Sequence, residues 1–424
     1  MRFCIKTLGC KVNQYEAQAI ESILRDRGHI SVPLGEGNDI CILNTCAVTS
    51  ESERKSRQLI RKMKRLEPNA LIAVCGCYSQ LDPSVFSGLG VDFVSGVYDR
   101  HAFALKVEEH VKQGTQVNTP SLSPCVLEEL PPGNTTNRTR ALLKIQDGCD
   151  NFCTYCIVPY IRGRSRSLPL ERVAEYAKQL EEQGYKEIII TGIEISSVSP
   201  CLITAIQTIS TAAPDTRLRF GSLDPAIVTE EFCKNLSKIP NICNHIHLSL
   251  QSGCDSTLQR MGRKYSTNQA LKSIEAVRKY FKNCGVTADL ITGFPGETED
   301  EFEQTLEFIK KAAFSDMHIF PYSMRPGTKA AKLTGQIDKS IKKERARIAI
   351  ETAQEMADIF KRAQIGKTVE VLFEQYKNGI STGHSSNYLE INVKGKAERN
   401  TIRSVKVATL QKDKLYGNME NIYK

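Results

Sequence analysis

The chain has 424 residues, which is too long for one ordinary domain and predicts two or three. Hydrophobic residues make up 41% and charged residues 25%, a balance typical of a soluble globular protein, and no run approaches the roughly 18 apolar residues of a membrane-spanning helix. The formal net charge of +9 favours a polyanionic partner such as nucleic acid, although a generally basic enzyme fits this charge equally well.

The start of the chain and the fifteen cysteines indicate the compartment. The segment MRFCIKTLGC lacks the basic-then-apolar run of a signal peptide, so we expect a cytoplasmic protein that does not associate with a membrane. Because disulfides are rare in a reducing cytosol, clustered cysteines there indicate metal binding, and scattered ones indicate ordinary buried side chains.

Residues 1–114 alternate short apolar runs with helical patterns. Strands are predicted over 2–9, 39–46, 70–76 and 91–97, with helix-like segments between them. This alternation predicts an N-terminal α/β domain with a parallel sheet. The stretch 115–138 is rich in Pro, Ser, Thr and Asn, which is typical of a linker.

Residues 139–365 repeat the alternation on a larger scale. Strands are predicted over 141–148, 186–192, 217–223, 245–251, 285–294 and 316–323. Six strand-then-helix units predict a partial (β/α)6 barrel with its active site at the C-terminal ends of the strands. A basic helical segment, KSIKKERARIAIETAQEMADIFKRAQ, follows the last strand.

Residues 366–424 have the pattern of short strands separated by Gly and Asn turns. They carry ten Lys or Arg residues against six Asp or Glu residues. We expect a small basic β-barrel, a class that often binds RNA. A β appendage with a solvated basic face is the alternative.

Three cysteines lie close together directly after the first strand of the central segment. Cys149, Cys153 and Cys156 have the spacing C-x3-C-x2-C. Three thiolates on one loop can each bind one iron of a [4Fe-4S] cube and leave the fourth iron open. Structural zinc normally takes four ligands, and no second C-x2-C or H-x3-H pair stands nearby in the sequence. This spacing resembles the signature of the radical S-adenosylmethionine (SAM) superfamily, which implies cleavage of SAM to methionine and a 5′-deoxyadenosyl radical.

A second set of cysteines follows successive strands of the N-terminal segment. Cys10, Cys46 and Cys77 end the strings TLGC, LNTC and CGC. Since the carboxyl ends of parallel strands lie at one edge of a sheet, these cysteines could meet at one site. Three unrelated buried cysteines are the alternative, but a glycine before Cys10 and Cys77 permits the close backbone approach of a cluster loop.

Strings along nearly the whole chain resemble the radical SAM methylthiotransferase family. They are TLGCKVNQYE, NTCAVTSESERKSRQ, GCYSQ, GCDNFCTYCIVPYIRGRSRS, HIHLSLQSG, RMGRKYS, DLITGFPGET and HIFPYSMRPGT. The resemblance implies an N-terminal methylthiotransferase domain, a radical SAM domain and a C-terminal TRAM-like domain. It also implies a second [4Fe-4S] cluster, on Cys10, Cys46 and Cys77, that carries the sulfur to be transferred.

The string TLGCKVNQYE is similar to the branch that acts on N6-threonylcarbamoyladenosine at position 37 of tRNA. The isopentenyladenosine branch tends to have Gln-Met-Asn after the first cysteine, and the ribosomal-protein branch tends to have Pro-Lys-Asn. The resemblance therefore implies conversion of the adenine C2–H to C2–SCH3, with the anticodon arm of tRNA and an electron donor such as flavodoxin or ferredoxin as partners. Two SAM molecules are implied, one for methylation of sulfur and one for the radical.

The resemblance also assigns SAM contacts, which are Gly192, Glu194, Ser249, Gln251, Arg263 and Phe320. The first two follow the second strand, where the superfamily meets the amino group of SAM. Ser249, Gln251 and Arg263 lie at ribose and carboxylate positions, and Phe320 is expected at the adenine. Ordinary alternatives are a backbone bond for Gln251, an acidic partner for Arg263 and a core position for Phe320.

Other polar residues near these motifs receive weaker interpretations. Arg162, Arg164 and Arg166 follow the cysteines and could meet tRNA phosphate or SAM, or form a solvated charge run. Asp289 is predicted to have a structural role at the end of the fifth strand. The loop after Gly192 is shorter than family members usually carry there.

Two other functions remain open from the sequence. The same chemistry could act on isopentenyladenosine in tRNA or on a ribosomal-protein aspartate. A non-enzymatic RNA-binding protein with structural or redox-sensing clusters is the second alternative, and it predicts no turnover of SAM.

Overall fold

The computed structural model describes residues 1–113, 118–119, 126–133 and 138–420. Its N-terminal part contains a six-stranded parallel sheet with the strand order β2-β1-β3-β4-β5-β6. The strands are β1 (Arg2–Thr7), β2 (Ile30–Ser31), β3 (Ile40–Thr45), β4 (Leu71–Gly76), β5 (Phe93–Ser95) and β6 (Asn118–Thr119), and the helices are α1 (Lys11–Asp26), α2 (Ser50–Leu66), α3 (Cys77–Leu81) and α4 (Arg100–Gln113).

Helices cover both faces of this sheet. Helix α1 carries apolar side chains at helical spacing, including Tyr15, Ile20 and Leu24, and buries them with α4 against one face. Helices α2 and α3 pack on the other face, and Thr49 caps the start of α2 by accepting from the backbone N–H of Ser52. Because both faces are covered, β3 is buried along its whole length.

The central part forms an open barrel of parallel strands. The strands of this part are β7 (Arg140–Lys144), β8 (Gln146–Asp147), β9 (Arg166–Ser167), β10 (Glu187–Thr191), β11 (Arg217–Phe220), β12 (Ser222–Leu223), β13 (His245–Gln251), β14 (Gly285–Thr292) and β15 (Asp316–Pro321). Strands β8 and β9 form a separate antiparallel pair, and the others belong to the barrel. Its helices are α5 (Val158–Arg162), α6 (Leu170–Glu182), α7 (Leu202–Ala212), α8 (Glu230–Leu236), α9 (Asp255–Met261), α10 (Thr267–Tyr280), α11 (Glu299–Ala312) and α12 (Lys339–Arg362).

Strands β11 and β12 are two halves of one strand that is interrupted at Gly221. The first half pairs with β10 and the second with β13, so the barrel order is β7-β10-β11/β12-β13-β14-β15. These are six strand positions, which confirms the predicted partial (β/α)6 barrel. Helix α1 packs against this barrel, because Leu142 of β7 and Ile189 of β10 belong to the same hydrophobic cluster as Tyr15.

The last part of the chain is a closed five-stranded barrel. Its strands are β16 (Thr368–Lys377), β17 (Ile380–Ser385), β18 (Glu390–Lys394), β19 (Ile402–Gln411) and β20 (Lys414–Met419). The pairing of β16 with β19 closes the barrel, and β18 and β20 are its parallel pair. Its Tyr388 stacks on His245, at the start of β13, with ring centroids 4.6 Å apart. The predicted α/β class with a small C-terminal β-barrel is therefore confirmed.

Two parts of the sequence interpretation differ from the structure or fall outside it. The two-residue strands β2, β6 and β9 are too short to produce an alternating pattern and were not predicted, whereas β8 lies within the strand predicted over 141–148. The predicted linker, 115–138, lies mostly outside the described residues. None of the described helices combines the length and the apolar character needed to cross a membrane.

Candidate active site

The predicted SAM-cluster cysteines lie on one loop between β8 and α5. Thr154 fixes this loop to the end of α9, since its N–H donates to Met261 O (2.9 Å) and its hydroxyl to Arg260 O (2.8 Å). Burial raises the pKa of the Cys149 thiol to about 11 and that of Cys156 to about 12. Without a metal, the thiols of Cys149 and Cys156 are therefore protonated at neutral pH, and a cluster would supply the positive charge that their thiolates need in this pocket.

Arg263 links this loop to two strands of the barrel. Its Nη1 lies 3.3 Å from Cys153 Sγ, while Nη2 contacts Asp224 Oδ2 at 2.9 Å and Ser249 O at 3.1 Å. The sequence alternative of an acidic partner for Arg263 is thus present in the structure. Its Nε is buried without a hydrogen-bond partner among the described residues, so one donor beside Cys153 remains available to a bound group.

The other predicted SAM contacts surround the same loop. Glu194 Oε2 accepts from Asn151 of the cysteine loop (3.3 Å), and burial raises the pKa of Glu194. Gly192 lies where a Cβ would come 2.8 Å from Gln146 Oε1. Gln251 ends β13 with a positive φ of 67°, and Phe320 on β15 is 50% exposed, which excludes a core position for its ring. Their contacts with SAM remain predictions.

The N-terminal cysteines also meet at one edge. Cys10 precedes α1, Cys46 follows β3, and Cys77 begins α3 after β4. Burial and the neighbouring thiols of Cys77 and Cys10 raise the pKa of Cys46 to about 12. The three thiols are therefore near enough to influence one another electrostatically, and their role as ligands of a second cluster remains a prediction.

Two glycines allow this approach. Gly9 has a φ of 98°, and a Cβ there would lie 2.8 Å from Cys46 Sγ. Gly76 has a φ of 110°, and a Cβ there would overlap Asn44 Oδ1 and the backbone of Thr45. Both positions therefore need glycine for conformation and for space.

Gly76→Ala should lower the free energy of unfolding by about 2–4 kcal/mol, since strain at positive φ and a steric clash add together. The matched control is Gly88→Ala, where φ is 77° but no atom lies within 4 Å of the added Cβ. Thermal unfolding and iron content measure the difference between the two variants. Equal losses at both positions would contradict the assignment of a tight approach at Gly76.

A buried ion cluster connects the two cysteine sites. Arg162, six residues after Cys156, has a fully buried side chain and places its Nε 3.4 Å from Cys77 Sγ. The Nη1 of Arg162 lies 2.8 Å from Glu16 Oε1 of α1 and 2.9 Å from Asp147 Oδ2. Lys144 also pairs with both carboxylates, at 2.9 Å and 2.6 Å.

The cations keep the two carboxylates of this cluster ionised. Burial alone would raise the pKa of Glu16, but Arg162, Lys144 and Arg100 hold it well below its usual range. Burial likewise opposes ionisation of Asp147, and Arg162 and Lys144 hold its pKa below the ordinary value. Both carboxylates are therefore charged at neutral pH, between cations from two parts of the chain.

This cluster corrects the interpretation of the arginine run. Arg162 is fully buried and Arg166 is 8% exposed, so neither belongs to a solvated charge run or to a phosphate-binding surface. Arg164 is exposed and pairs with Asp150 at 3.1 Å. Sequence reasoning missed the role of Arg162 because its partner Glu16 lies 146 residues away. The buried face of α1, which carries an acidic residue among apolar ones, was the available signal.

Comparisons with known proteins identify two family models along the chain. Residues 143–309 match the model of the Radical SAM superfamily, and residues 2–96 match that of the uncharacterized protein family UPF0004. The radical S-adenosylmethionine methyltransferase TsrM from Kitasatospora setae, with cobalamin and a [4Fe-4S] cluster bound, has a TM-score of 0.59 at 15% identity, over 78% of this chain and 76% of that chain. This similarity shows a shared fold.

Similarity in sequence is higher among curated relatives. The threonylcarbamoyladenosine tRNA methylthiotransferase MtaB of Bacillus subtilis (strain 168) is 36% identical over 403 residues, which cover 92% of this chain and 89% of that protein. The MtaB of Thermotoga maritima is 36% identical over 397 residues, covering 91% and 90%. A tRNA-2-methylthio-N(6)-dimethylallyladenosine synthase of Clostridium botulinum (strain Okra / Type B1) is 33% identical over 386 residues, covering 88% and 86%. The chain therefore belongs to the threonylcarbamoyladenosine tRNA methylthiotransferase family of radical SAM enzymes.

Proposed function

We propose that this protein converts N6-threonylcarbamoyladenosine at position 37 of tRNA to its 2-methylthio derivative. The observation that carries the proposal is the pair of three-cysteine sites joined through Arg162, which lies 3.4 Å from Cys77 and six residues after Cys156. The substrate is inferred from relatives that are 36% identical and named for threonylcarbamoyladenosine.

Each cysteine set would hold one [4Fe-4S] cluster. Cys149, Cys153 and Cys156 fit the SAM cluster, and Cys10, Cys46 and Cys77 fit the auxiliary cluster. When bound, the clusters and two SAM molecules supply the electron, the hydrogen abstraction and the methylated sulfur that replace C2–H by C2–SCH3. Arg263 orients Cys153 through a charge-assisted contact, and Arg162 does the same for Cys77.

The closed terminal barrel is the part of the protein proposed to bind the anticodon arm. Lys377, Lys394 and Lys396 are exposed at one end of it, where Ile380 pairs with both Lys377 and Lys394. Exposed lysines suit phosphate contacts, which position an RNA without reading its sequence. A flavodoxin or ferredoxin is the proposed electron donor, and a cytoplasmic location fits both partners.

Mass spectrometry of tRNA nucleosides tests this function directly. Deletion of the gene should remove the 2-methylthio form of threonylcarbamoyladenosine and leave its precursor to accumulate. The wild-type gene should restore the product, whereas a gene encoding Cys46→Ala should not. Loss of methylthio-isopentenyladenosine instead would favour the activity named for the Clostridium botulinum relative. An unchanged nucleoside profile would contradict the tRNA function and would leave the ribosomal-protein aspartate or a non-enzymatic role.

A further inference from the structure

Three polar side chains meet inside the central barrel. His247 Nε2 lies 3.1 Å from Asp289 Oδ2, and His318 Nδ1 lies 3.4 Å from Asp289 Oδ1. They belong to the neighbouring strands β13, β14 and β15, and Asp289 pairs in register with His318. We call His247, Asp289 and His318 the lumen triad. Asp289 was predicted to end a strand, but it lies within β14, and its predicted structural role stays a prediction.

The lumen triad lies next to the candidate SAM site, two residues earlier on the same strands. His247 precedes Ser249 by two residues on β13, so both point to the same face, about 7 Å apart along the strand. The Ser249 carbonyl accepts from Arg263, which contacts Cys153. His318 likewise precedes Phe320 by two residues on β15. The triad therefore faces the space in which a substrate would approach the cysteine loop.

Hydrogen bonds from a neighbouring side chain fix the orientation of the triad. The Thr287 hydroxyl lies 2.7 Å from His247 Nδ1 and 2.9 Å from His245 Nε2. These contacts leave Nε2 of His247 directed at Asp289. His318 has the freest side chain of the three, at 58% exposure against 12% for His247 and 25% for Asp289. A ligand in the lumen can therefore reach His318 without displacing the others.

A further basic side chain, Lys11 of α1, lies near enough to Asp289 and His318 to act on their charges, although no triad residue lines the cavity that it faces. Lys11 directly follows Cys10 and lines a cavity of about 540 Å³ with Arg140 and Tyr388. Arg140 is already paired with Glu374 at 2.9 Å. No hydrogen-bond or ion-pair partner contacts the Lys11 ammonium within the described ranges. A partly buried cation without a partner is best satisfied by an anion from a ligand.

The charges define which ligand would fit. Burial opposes ionisation of Asp289, but His247 and His318 hold its pKa far below the usual range, so the carboxylate is charged. Its hydrogen bond to Asp289 raises the pKa of His318. The lumen thus offers a carboxylate that accepts from N–H and O–H groups, beside the His318 imidazole and the Lys11 side chain, which can donate to an anion. A threonylcarbamoyl group carries ureido N–H groups, a hydroxyl and a carboxylate, whereas an isopentenyl group carries none of them.

We propose that the lumen triad and Lys11 bind the 6-substituent of the substrate adenosine, with His318 and Lys11 at its carboxylate and Asp289 at its N–H and O–H donors. This inference rests on the proposed function and adds the residues that select the substrate. A site built to bind polar groups discriminates strongly against a ligand that lacks them, because its own groups are then left unpaired.

Two synthetic anticodon stem–loops test the inference with reconstituted full-length protein. One carries threonylcarbamoyladenosine, and in the other a methyl group replaces the carboxylate of the same substituent. Wild-type kcat/KM for methylthiolation should be lower for the methyl analogue by about tenfold or more. His318→Gln should lower kcat/KM for the natural substituent by a similar factor, mainly through KM, and leave the analogue nearly unchanged.

Control variants separate recognition from folding. His101→Gln replaces an exposed histidine of α4, and Asp300→Asn replaces an exposed carboxylate of α11, the counterpart to Asp289→Asn. Both controls should retain wild-type discrimination. Formation of 5′-deoxyadenosine without RNA should match the wild type in both controls, because His101 and Asp300 lie on the exposed surface.

Three results would overturn the inference. One is an equal loss on both stem–loops in His318→Gln, and another is a wild-type protein that does not distinguish them. The third is a stoichiometric divalent cation, beyond the cluster iron, that elemental analysis finds in the wild type and not in Asp289→Asn, since the triad would then be a metal site. Wild-type protein that methylthiolates neither stem–loop would contradict the proposed function itself.

Discussion

Cys153→Ala is expected to abolish 5′-deoxyadenosine formation by the anaerobically reconstituted, dithionite-reduced protein. The Cys153 thiol is buried beside Arg263, at 3.3 Å, and its loss removes one of the three ligands of an open-iron cluster. Product should fall to the level of a protein-free control. Iron content should fall by about half, because one of the two proposed four-iron clusters would be lost.

Two further variants make this result specific. Cys201→Ala, at an exposed cysteine outside both thiol sets, should retain wild-type iron and activity. Cys46→Ala should lose iron to the same extent as Cys153→Ala yet still form 5′-deoxyadenosine, with no methylthiolated RNA. Persistence of 5′-deoxyadenosine at the wild-type rate in Cys153→Ala would contradict the assignment of the SAM cluster.

Arg162→Met is expected to destabilise the protein by about 3–5 kcal/mol, because it leaves the charges of a buried cluster partly uncompensated. Glu16 and Asp147 would each lose a guanidinium contact, at 2.8 Å and 2.9 Å, and Cys77 would lose its N–H donor. The measurement is thermal unfolding of the anaerobically purified protein, together with its iron content.

Arg164→Met is the matched control two residues away. The Arg164 side chain is 74% exposed and pairs with Asp150 at 3.1 Å. Exposed ion pairs contribute at most about 1 kcal/mol, so the melting temperature of this variant should stay close to that of the wild type. Similar destabilisation by the two substitutions would contradict the role assigned to the buried cluster.

The sequence was sufficient to predict the architecture because each strand can be recognised from its own residues. Each of the six barrel strands is a short apolar run followed by a helical pattern, and the alternation in HIHLSLQ is visible without any partner. The cysteine loop was equally local, with all three thiols within eight residues. Such features need no knowledge of the tertiary fold.

The missed features depend on residues that are distant in the chain. Arg162 meets Glu16 across 146 residues, and the interpretation of a solvated run failed because a single sequence does not show which charges are buried together. The lumen triad joins three strands in the same way. Its signal was the polar face of β13, where His245, His247, Ser249 and Gln251 alternate with buried Ile246, Leu248 and Leu250.

The buried ion cluster has a consequence for motion during turnover. Arg162, Asp147 and Lys144 of the central barrel interlock with Glu16 and Arg100 of the N-terminal part. Separating these two parts would break several desolvated ion pairs at once. Each buried charge that lost its partner would cost several kcal/mol of free energy. We therefore expect this interface to resist opening during turnover and to hold the two thiol sets in a fixed relative position. Under the proposed function, the RNA would then be the part that moves, and its nucleotide would turn out of the base stack to bring C2 to both thiol sets.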